Sequence, residues 1–284
     1  MEKVNVAFIG AGPAAHAYHF SSLSRMDDVR IVAIAELDEA RLQKAAEQYG
    51  VPGRYTDYHE MLEKEDIDAV YVVVRPMVLK PIVLDVIAAG KHLFTEKPAG
   101  VTSAETVEMA AAAEAAGIKS AVGCNRRYCH VLRKAKELVL ECGPISEMMA
   151  EFHKNMEQSY FGISILHCDG LHVIDAMRDV MGEPQEVHSH ADRWYGEKGW
   201  EGTYNCFRAL IRFESGAGGL FTANRKAGSR YERFEIHGHN ISAYIRAPER
   251  LEVYRSDKKE PEIYTGEQLA GPALEADQCA EAVV

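Results

Sequence analysis

The 284-residue sequence has few cysteines and no excess of positive charge. Its six cysteines are scattered and form no CxxC pair, which argues against a structural zinc site and a disulfide framework. Lysine and arginine total 32 against 43 acidic residues, so the formal net charge of −11 argues against nucleic acid or an anionic membrane as a partner. No apolar run approaches a membrane span, and we expect no signal peptide because a strand-like run already begins at Val4. These absences predict a cytoplasmic globular protein.

The N-terminal half alternates between short apolar runs and helical patterns. The predicted strands include residues 4–10, 29–36 and 68–74. The last is almost wholly apolar, as expected for a strand covered on both faces. Farther along, Thr102 and Glu105 have the spacing of a capping box at the start of a helix. This alternation predicts a doubly wound parallel sheet, and we assign residues 1–122 to a Rossmann domain.

The C-terminal half has a different rhythm. Helices are predicted over about 130–142 and 169–181. The segments with strand alternation are 185–194, 207–213 and 232–245. This pattern predicts an α+β domain over residues 123–284, built on an open, mostly antiparallel sheet. Such a sheet leaves a face to be covered, so we expect a homo-oligomer, a dimer or a tetramer, formed through it.

A glycine-rich turn follows the first predicted strand. Residues 10–15 read GxGxxA, and glycines there permit a tight turn and let the backbone approach a pyrophosphate. The candidate cofactor-binding residues are Gly10, Gly12, Pro13, Ala14 and Ala15. Glu36 ends the second strand, where an acidic side chain can bind a ribose 2′-hydroxyl and repel a 2′-phosphate. With Leu37 next and no adjacent cationic residue, NAD is favoured over NADP.

Four segments together resemble the Gfo/Idh/MocA oxidoreductases. They are GxGxxA at 10–15, AGKHLFTEKPAG at 89–100, VGCNRRY at 122–128 and DGLHVIDAMRDVMG at 169–182. Their order and spacing match the family over nearly the whole chain. The resemblance implies a hydride transfer between a nicotinamide and a secondary alcohol or ketone of a sugar, cyclitol or related small molecule.

The resemblance also implies the catalytic residues. Lys97 would lie beside the nicotinamide and stabilise alkoxide character on the substrate oxygen, with Glu96 anchoring the lysine or its turn. His172 would exchange the substrate proton. The family often has an acid where this sequence has Cys168, and Asp169 is the candidate to replace it, as a catalytic and substrate-binding residue.

Other positions have weaker implications. Arg75 and Pro76 replace the family's usual residues after the fourth strand, and Arg75 could pair with a phosphate or a substrate carboxylate. Arg127 is compatible with a role in the substrate cleft and with a salt bridge across the hinge. Asn155 and Tyr231 are candidate substrate contacts by approximate position.

Several histidines and the C-terminus complete the expectations. The pairs His188/His190 and His237/His239 are interpreted as surface residues, so no metal site is expected. His16 and His19 are expected on the surface of the first helix. The chain stops at EADQCAEAVV, apparently inside a helix, which indicates a short natural variant or a truncated chain.

We therefore expect an NAD-dependent oxidoreductase of a small hydroxylated substrate. Two alternatives remain open. One is a glycosidase that uses NAD transiently in an oxidation–elimination cycle and would show hydrolysis without net NADH. The other is a non-catalytic NAD(H)-responsive protein, which would bind the nucleotide and turn over nothing.

Overall fold

The computed structural model describes residues 3–156, 163–194 and 204–270. The chain divides between Gly123 and Cys124 into two compact units. The side chain of Cys168 and the helix expected at the C-terminus lie outside the described residues.

Six parallel strands form the sheet of the first unit. They are β1 (Val4–Ile9), β2 (Val29–Ala35), β3 (Gly53–Tyr55), β4 (Ala69–Val72), β5 (His92–Thr95) and β6 (Ser120–Val122). Their order is β3-β2-β1-β4-β5-β6, and each neighbouring pair is parallel. This is the strand order of a Rossmann sheet, and it brings the carboxyl ends of β1, β2, β4 and β5 to one edge.

Helices connect these strands. They are α1 (Ser21–Leu23), which continues a π-helical turn (Ala15–Phe20), then α2 (Glu39–Tyr49), α3 (Tyr58–Lys64), α4 (Pro76–Ala88) and α5 (Ser103–Ala115). The Asp38 side chain caps α2 by accepting from the N–H groups of Ala40 and Arg41. Gly50, with φ +67°, ends the same helix in the left-handed conformation.

The second unit has an eight-stranded sheet. Its elements are a 3₁₀ turn (Asn125–Tyr128), α6 (His130–Leu140), β7 (Glu147–Asn155), a π-helical turn (Leu166–Gly170), α7 (Leu171–Met181), β8 (Pro184–Asp192), β9 (Cys206–Phe213), β10 (Gly218–Asn224), β11 (Lys226–Gly238), β12 (Ile241–Arg246), β13 (Arg250–Arg255), β14 (Glu262–Thr265) and α8 (Gly266–Ala270). The order is β14-β13-β12-β11-β7-β10-β9-β8. Every neighbouring pair is antiparallel except β7 and β10. The predicted fold class is confirmed.

The two faces of this second sheet differ. Helices α6 and α7 contact one face, and their apolar residues join those of β7 and β11 in one core that includes Met148, Phe152 and Phe234. The opposite face we call the open face. It exposes Leu210, Leu220, Tyr231, Tyr244 and Tyr254.

The structure differs from the sequence prediction in several places. Four strands of the second sheet, β7, β10, β13 and β14, lie outside the predicted segments. The segment 232–245 belongs to two strands, because a tight turn at Asn240 (φ 60°) separates β11 from β12. Asparagine tolerates this left-handed conformation, which alternation alone does not reveal. In addition, β3 and α3 lie where the patterns predict no element, since both are too short to show periodicity. Within the described residues, no helix combines the length and apolarity needed to cross a bilayer.

Candidate active site

The turn after β1 needs glycine at two positions for different reasons. Gly10 has φ +98°, and a Cβ there would lie 2.3 Å from the carbonyl oxygen of Val73, so only glycine fits. Gly12 has no heavy atom within 4 Å of the place its Cβ would occupy. The space beside Gly12 is therefore open to a pyrophosphate, and the helical segment 13–23 begins directly after it.

We expect alanine substitutions of Gly10 and Gly12 to impair different properties, the stability of the protein in the first case and NADH binding in the second. Gly10→Ala should destabilise the protein by about 2 kcal/mol or more, because both its φ and its contact with Val73 are incompatible with a side chain. Gly12→Ala should leave the melting temperature nearly unchanged and weaken NADH binding about tenfold or more. Thermal melts and fluorescence titrations with NADH separate the two effects. An equal loss of stability in both variants would contradict the role given to Gly12.

Glu36 lies next to this turn. Its carboxylate accepts hydrogen bonds from the backbone N–H groups of Ala11 at 2.8 Å and Asp38 at 3.1 Å. These bonds fix the carboxylate, which has about four acceptor positions and so retains capacity for ribose hydroxyls. Its negative charge opposes a 2′-phosphate. The residues at this edge of the sheet therefore fit NAD.

The other candidate cofactor residues lie where helices begin at the same edge. Pro13 and Ala14 start the helical segment, with Pro13 exposed. Ala15 is fully buried, so its small size serves packing of the helix on the sheet. Arg75 is exposed and immediately precedes Pro76, the first residue of α4.

Lys97 comes just after β5, at the edge that also carries Gly10 and Glu36. The lysine is half-buried, and its peptide bond to Pro98 is cis. The Glu96 carboxylate accepts the backbone N–H of Lys97 at 3.0 Å and lies 2.9 Å from Nε2 of His19. Glu96 therefore ties the chain at Lys97 to the helix that follows the glycine turn.

The position of His19 differs from the expectation. Its side chain is 3% exposed and lies against the Phe94 ring, whereas the sequence indicates a surface histidine. The cause is the π-helical turn Ala15–Phe20, which winds more slowly than an α-helix and changes which residue faces the sheet. His16 is half-buried against Tyr49, and burial lowers the pKa of His16.

In the second unit, Asp169 lies in a buried ionic cluster. Its side chain is 2% exposed, and its carboxylate lies 2.6 Å from Nζ of Lys154 and 3.0 Å from the guanidinium of Arg225. The Arg225 side chain is fully buried and also donates to the Phe152 carbonyl at 2.7 Å. The sequence patterns single out neither Lys154 nor Arg225, because each looks like an ordinary charged residue at the end of a strand.

His172 and Arg127 take separate positions. His172 is half-buried in the first turn of α7, three residues after Asp169. Arg127 forms a two-pronged ion pair with the buried carboxylate of Asp175, at 2.7 and 2.6 Å. These hydrogen bonds raise the pKa of Arg127 further above its usual range. Arg127 and Asp175 both belong to the second unit. This ion pair is therefore not the salt bridge across the hinge that the sequence left open for Arg127.

The two remaining substrate candidates lie on strands of the second sheet. Asn155 is exposed at the end of β7. Tyr231 belongs to the open face, whereas its neighbour Glu232 turns to the helix-covered side. Strand alternation therefore places Tyr231 on the opposite side of the sheet from Lys154. Its role as a substrate contact stays a prediction.

No metal cluster is present in the described parts of the chain. His188 and His190 are exposed on β8, and His188 lies 3.0 Å from Glu186. Among the described residues, no group of three or more histidine, cysteine or acidic side chains could hold a metal ion.

Two family models match the chain. The model described as an oxidoreductase family with an NAD-binding Rossmann fold matches residues 4–124. The model for the GFO/IDH/MocA C-terminal domain matches residues 132–244.

Curated relatives and solved structures agree with these matches. The myo-inositol 2-dehydrogenase of Thermotoga maritima is 29% identical over 245 residues, covering 83% of this chain and 73% of its own. The levoglucosan dehydrogenase of Pseudarthrobacter phenanthrenivorans is 26% identical over 318 residues, covering 94% and 81%. A structure of levoglucosan dehydrogenase with NADH and L-sorbose superposes with a TM-score of 0.86 at 23% identity, covering 100% of this chain and 87% of that one. This last similarity demonstrates the fold alone.

Proposed function

Because the chain belongs to the GFO/IDH/MocA oxidoreductase family, whose first domain is an NAD-binding Rossmann fold, we propose that it transfers a hydride between NAD and a secondary alcohol or ketone of a sugar, cyclitol or related small molecule. One observation carries this proposal. Gly10, Glu36 and Lys97 follow β1, β2 and β5, whose carboxyl ends lie at one edge of the parallel sheet. A nucleotide site and a cationic side chain thus occur together within the first unit.

The first unit would bind and orient the cofactor. When bound, NAD supplies the group that accepts or donates the hydride. The open backbone at Gly12 and the N-terminus of the following helix receive the pyrophosphate, and Glu36 orients the adenosine ribose. Arg75, at the start of α4, is a candidate partner for a phosphate.

Lys97 would act on the substrate oxygen. Its ammonium donates a hydrogen bond and stabilises the negative charge that develops on this oxygen as the hydride leaves. The ammonium keeps its own proton. Glu96 holds the lysine backbone through the bond at 3.0 Å and is itself braced by His19.

In the second unit, His172 would take the alcohol proton during oxidation and return it during reduction. Asp169, between Lys154 and Arg225, is held in two ion pairs and is better suited to positioning these cations than to exchanging protons. We therefore assign Asp169 as a positioning residue. The pair of Arg127 with Asp175 fixes α7 to the 3₁₀ turn that precedes α6, and Asn155 stays a candidate substrate contact.

The test is NADH formation with a panel of sugars, cyclitols, hydroxy acids and aryl glycosides. We expect NADH with one substrate class, and no release of the aglycone from the glycosides. Aglycone release without NADH would instead support a glycosidase with transient NAD chemistry. NADH binding without any turnover would support a regulatory role.

The second unit also supports a homo-oligomer, and a second copy of the chain is the occupant we propose for the open face. Its exposed aliphatic and tyrosine side chains include Leu210, Leu220 and Tyr244. Light scattering coupled to gel filtration should give a dimer or tetramer, and Leu210→Asp should shift it towards the monomer. A monomeric wild-type protein would contradict the proposed homo-oligomer.

A cytoplasmic location stays a prediction.

A further inference from the structure

His19 is a buried histidine in largely aromatic surroundings. Its side chain is 3% exposed, and its ring centre lies 5.1 Å from that of Phe94 and 5.7 Å from that of Tyr71. Nε2 of His19 lies 2.9 Å from a carboxylate oxygen of Glu96, whereas no described residue forms a hydrogen bond with Nδ1. Within the described residues, the buried imidazole therefore directs its hydrogen bonding at Glu96 alone.

Packing does not explain why this position holds a histidine. Taking an imidazole out of water costs free energy unless its polar atoms find partners, and only one of the two ring nitrogens of His19 has a partner among the described residues. A phenylalanine ring would fit the same aromatic surroundings without this cost. What the histidine adds is therefore the contact with Glu96.

The two oxygens of the Glu96 carboxylate have separate partners. Oε1 faces His19, and Oε2 accepts the backbone N–H of Lys97 at 3.0 Å. The space beside the carboxylate is also limited, because a Cβ added to Gly123 would lie 3.3 Å from Oε1 and 3.3 Å from the Phe94 ring. The Glu96 side chain therefore links a buried histidine to the backbone of the candidate catalytic lysine.

Resting on the proposed function, we propose that His19 is a positioning residue for Lys97 and acts on it through Glu96. A carboxylate only accepts hydrogen bonds, so Nε2 of His19 donates to Oε1 and fixes it. With Oε1 fixed, the carboxylate does not rotate, and Oε2 stays directed at the Lys97 N–H. The lysine side chain then extends from a fixed backbone, which matters because a misplacement of about 1 Å can cost about 100-fold in rate.

His19 also connects Lys97 to the cofactor side of the site. It belongs to the π-helical turn Ala15–Phe20, in the helical segment that begins at the glycine turn. The segment that receives the pyrophosphate therefore also holds Glu96, and through it the lysine backbone. The hydride carrier and the ammonium that acts on the substrate oxygen thus share one support.

The first test removes the hydrogen bond and keeps an aromatic ring. His19→Phe should lower kcat about 10- to 100-fold, with the substrate KM, the dissociation constant for NADH and the melting temperature nearly unchanged. His19→Gln should recover most of the turnover, because its amide nitrogen can replace Nε2 as the donor to Glu96. His19→Asn should not, since its shorter amide cannot reach as far. His59→Gln is the matched control at an exposed histidine of the same unit and should change none of these quantities.

A second comparison tests whether His19 acts through Glu96. In a Glu96→Ala background, His19→Phe should cause little further loss of kcat, because the carboxylate through which it acts is already absent. Additive losses, or wild-type turnover in His19→Phe, would overturn the inference. A loss of turnover that follows a loss of thermal stability in all three His19 variants would also overturn it, since this would indicate packing alone.

A measurement without substrate separates this inference from the proposed function. The bond to Glu96 protects the Lys97 amide from hydrogen exchange, so His19→Phe should speed this exchange about tenfold, and His59→Gln should not. Nuclear magnetic resonance of the ¹⁵N-labelled protein measures the rate. If no substrate gives NADH while the exchange rises in His19→Phe, the proposed function fails and the action of His19 on the Lys97 backbone stands. Unchanged exchange would refute the inference whatever the substrate panel gives.

Discussion

Lys97→Ala is expected to lower kcat by about 100- to 1,000-fold while leaving the dissociation constant for NADH within about threefold of wild type. The loss corresponds to removing one preorganised donor from an oxygen that becomes negative in the transition state. Cofactor binding should survive because the glycine turn and Glu36 do not depend on the lysine side chain. Steady-state kinetics and fluorescence titration of NADH measure the two quantities.

Two further variants make this result specific. Lys119→Ala removes an exposed lysine from the same unit and should have no effect on kcat. Lys97→Arg keeps the positive charge but presents a planar, differently placed group, so it should recover only part of the activity. Unchanged turnover in Lys97→Ala would mean that another group stabilises the substrate oxygen. A parallel loss of NADH affinity would mean that the lysine binds the cofactor instead.

Much of the first unit follows from local sequence signals. The Thr102 hydroxyl accepts the N–H of Glu105 at 3.2 Å, and the Glu105 carboxylate reaches back to the N–H of Val101 at 2.7 Å. The capping box thus marks the start of α5 as its spacing predicts. Similarly, the GxGxxA motif between an apolar run and a helix predicts the glycine turn. The capping box and this turn can both be predicted because each depends only on residues that are close together in the chain.

Two sets of contacts could not be predicted from the sequence. One joins residues that are far apart in the chain, and the other depends on a π-helical turn. The pairing of Asp169 with Lys154 and Arg225 joins three positions far apart in the chain, and no spacing rule connects them. The contact of His19 with Glu96 requires a π-helical turn, whose extra residue per turn has no clear sequence signature. Each is a long-range contact, so each appears only once the fold is known.

Asp169→Ala is expected to destabilise the second unit by about 3–5 kcal/mol. The substitution removes the carboxylate that lies 3.0 Å from the fully buried guanidinium of Arg225, and removing one member of a buried ion pair is costly. Lys154 loses its ion pair at the same time. Urea unfolding followed by circular dichroism measures the change in free energy of unfolding. Glu183→Ala is the matched control, because its pair with Arg178 is about half exposed and contributes about 1 kcal/mol or less.

A double variant decides whether charge or packing causes this loss. Asp169→Ala combined with Arg225→Met replaces the buried cation by an apolar side chain of similar length. If the uncompensated charge is the cause, the double variant should regain a large part of the lost stability, because the buried guanidinium that loses the carboxylate is no longer present. If the lost volume at Asp169 is the cause, the second substitution should destabilise the protein further, since it also removes the bond from Arg225 to the Phe152 carbonyl. A single Asp169→Ala variant as stable as the Glu183→Ala control would show that the ionic cluster does not stabilise the unit.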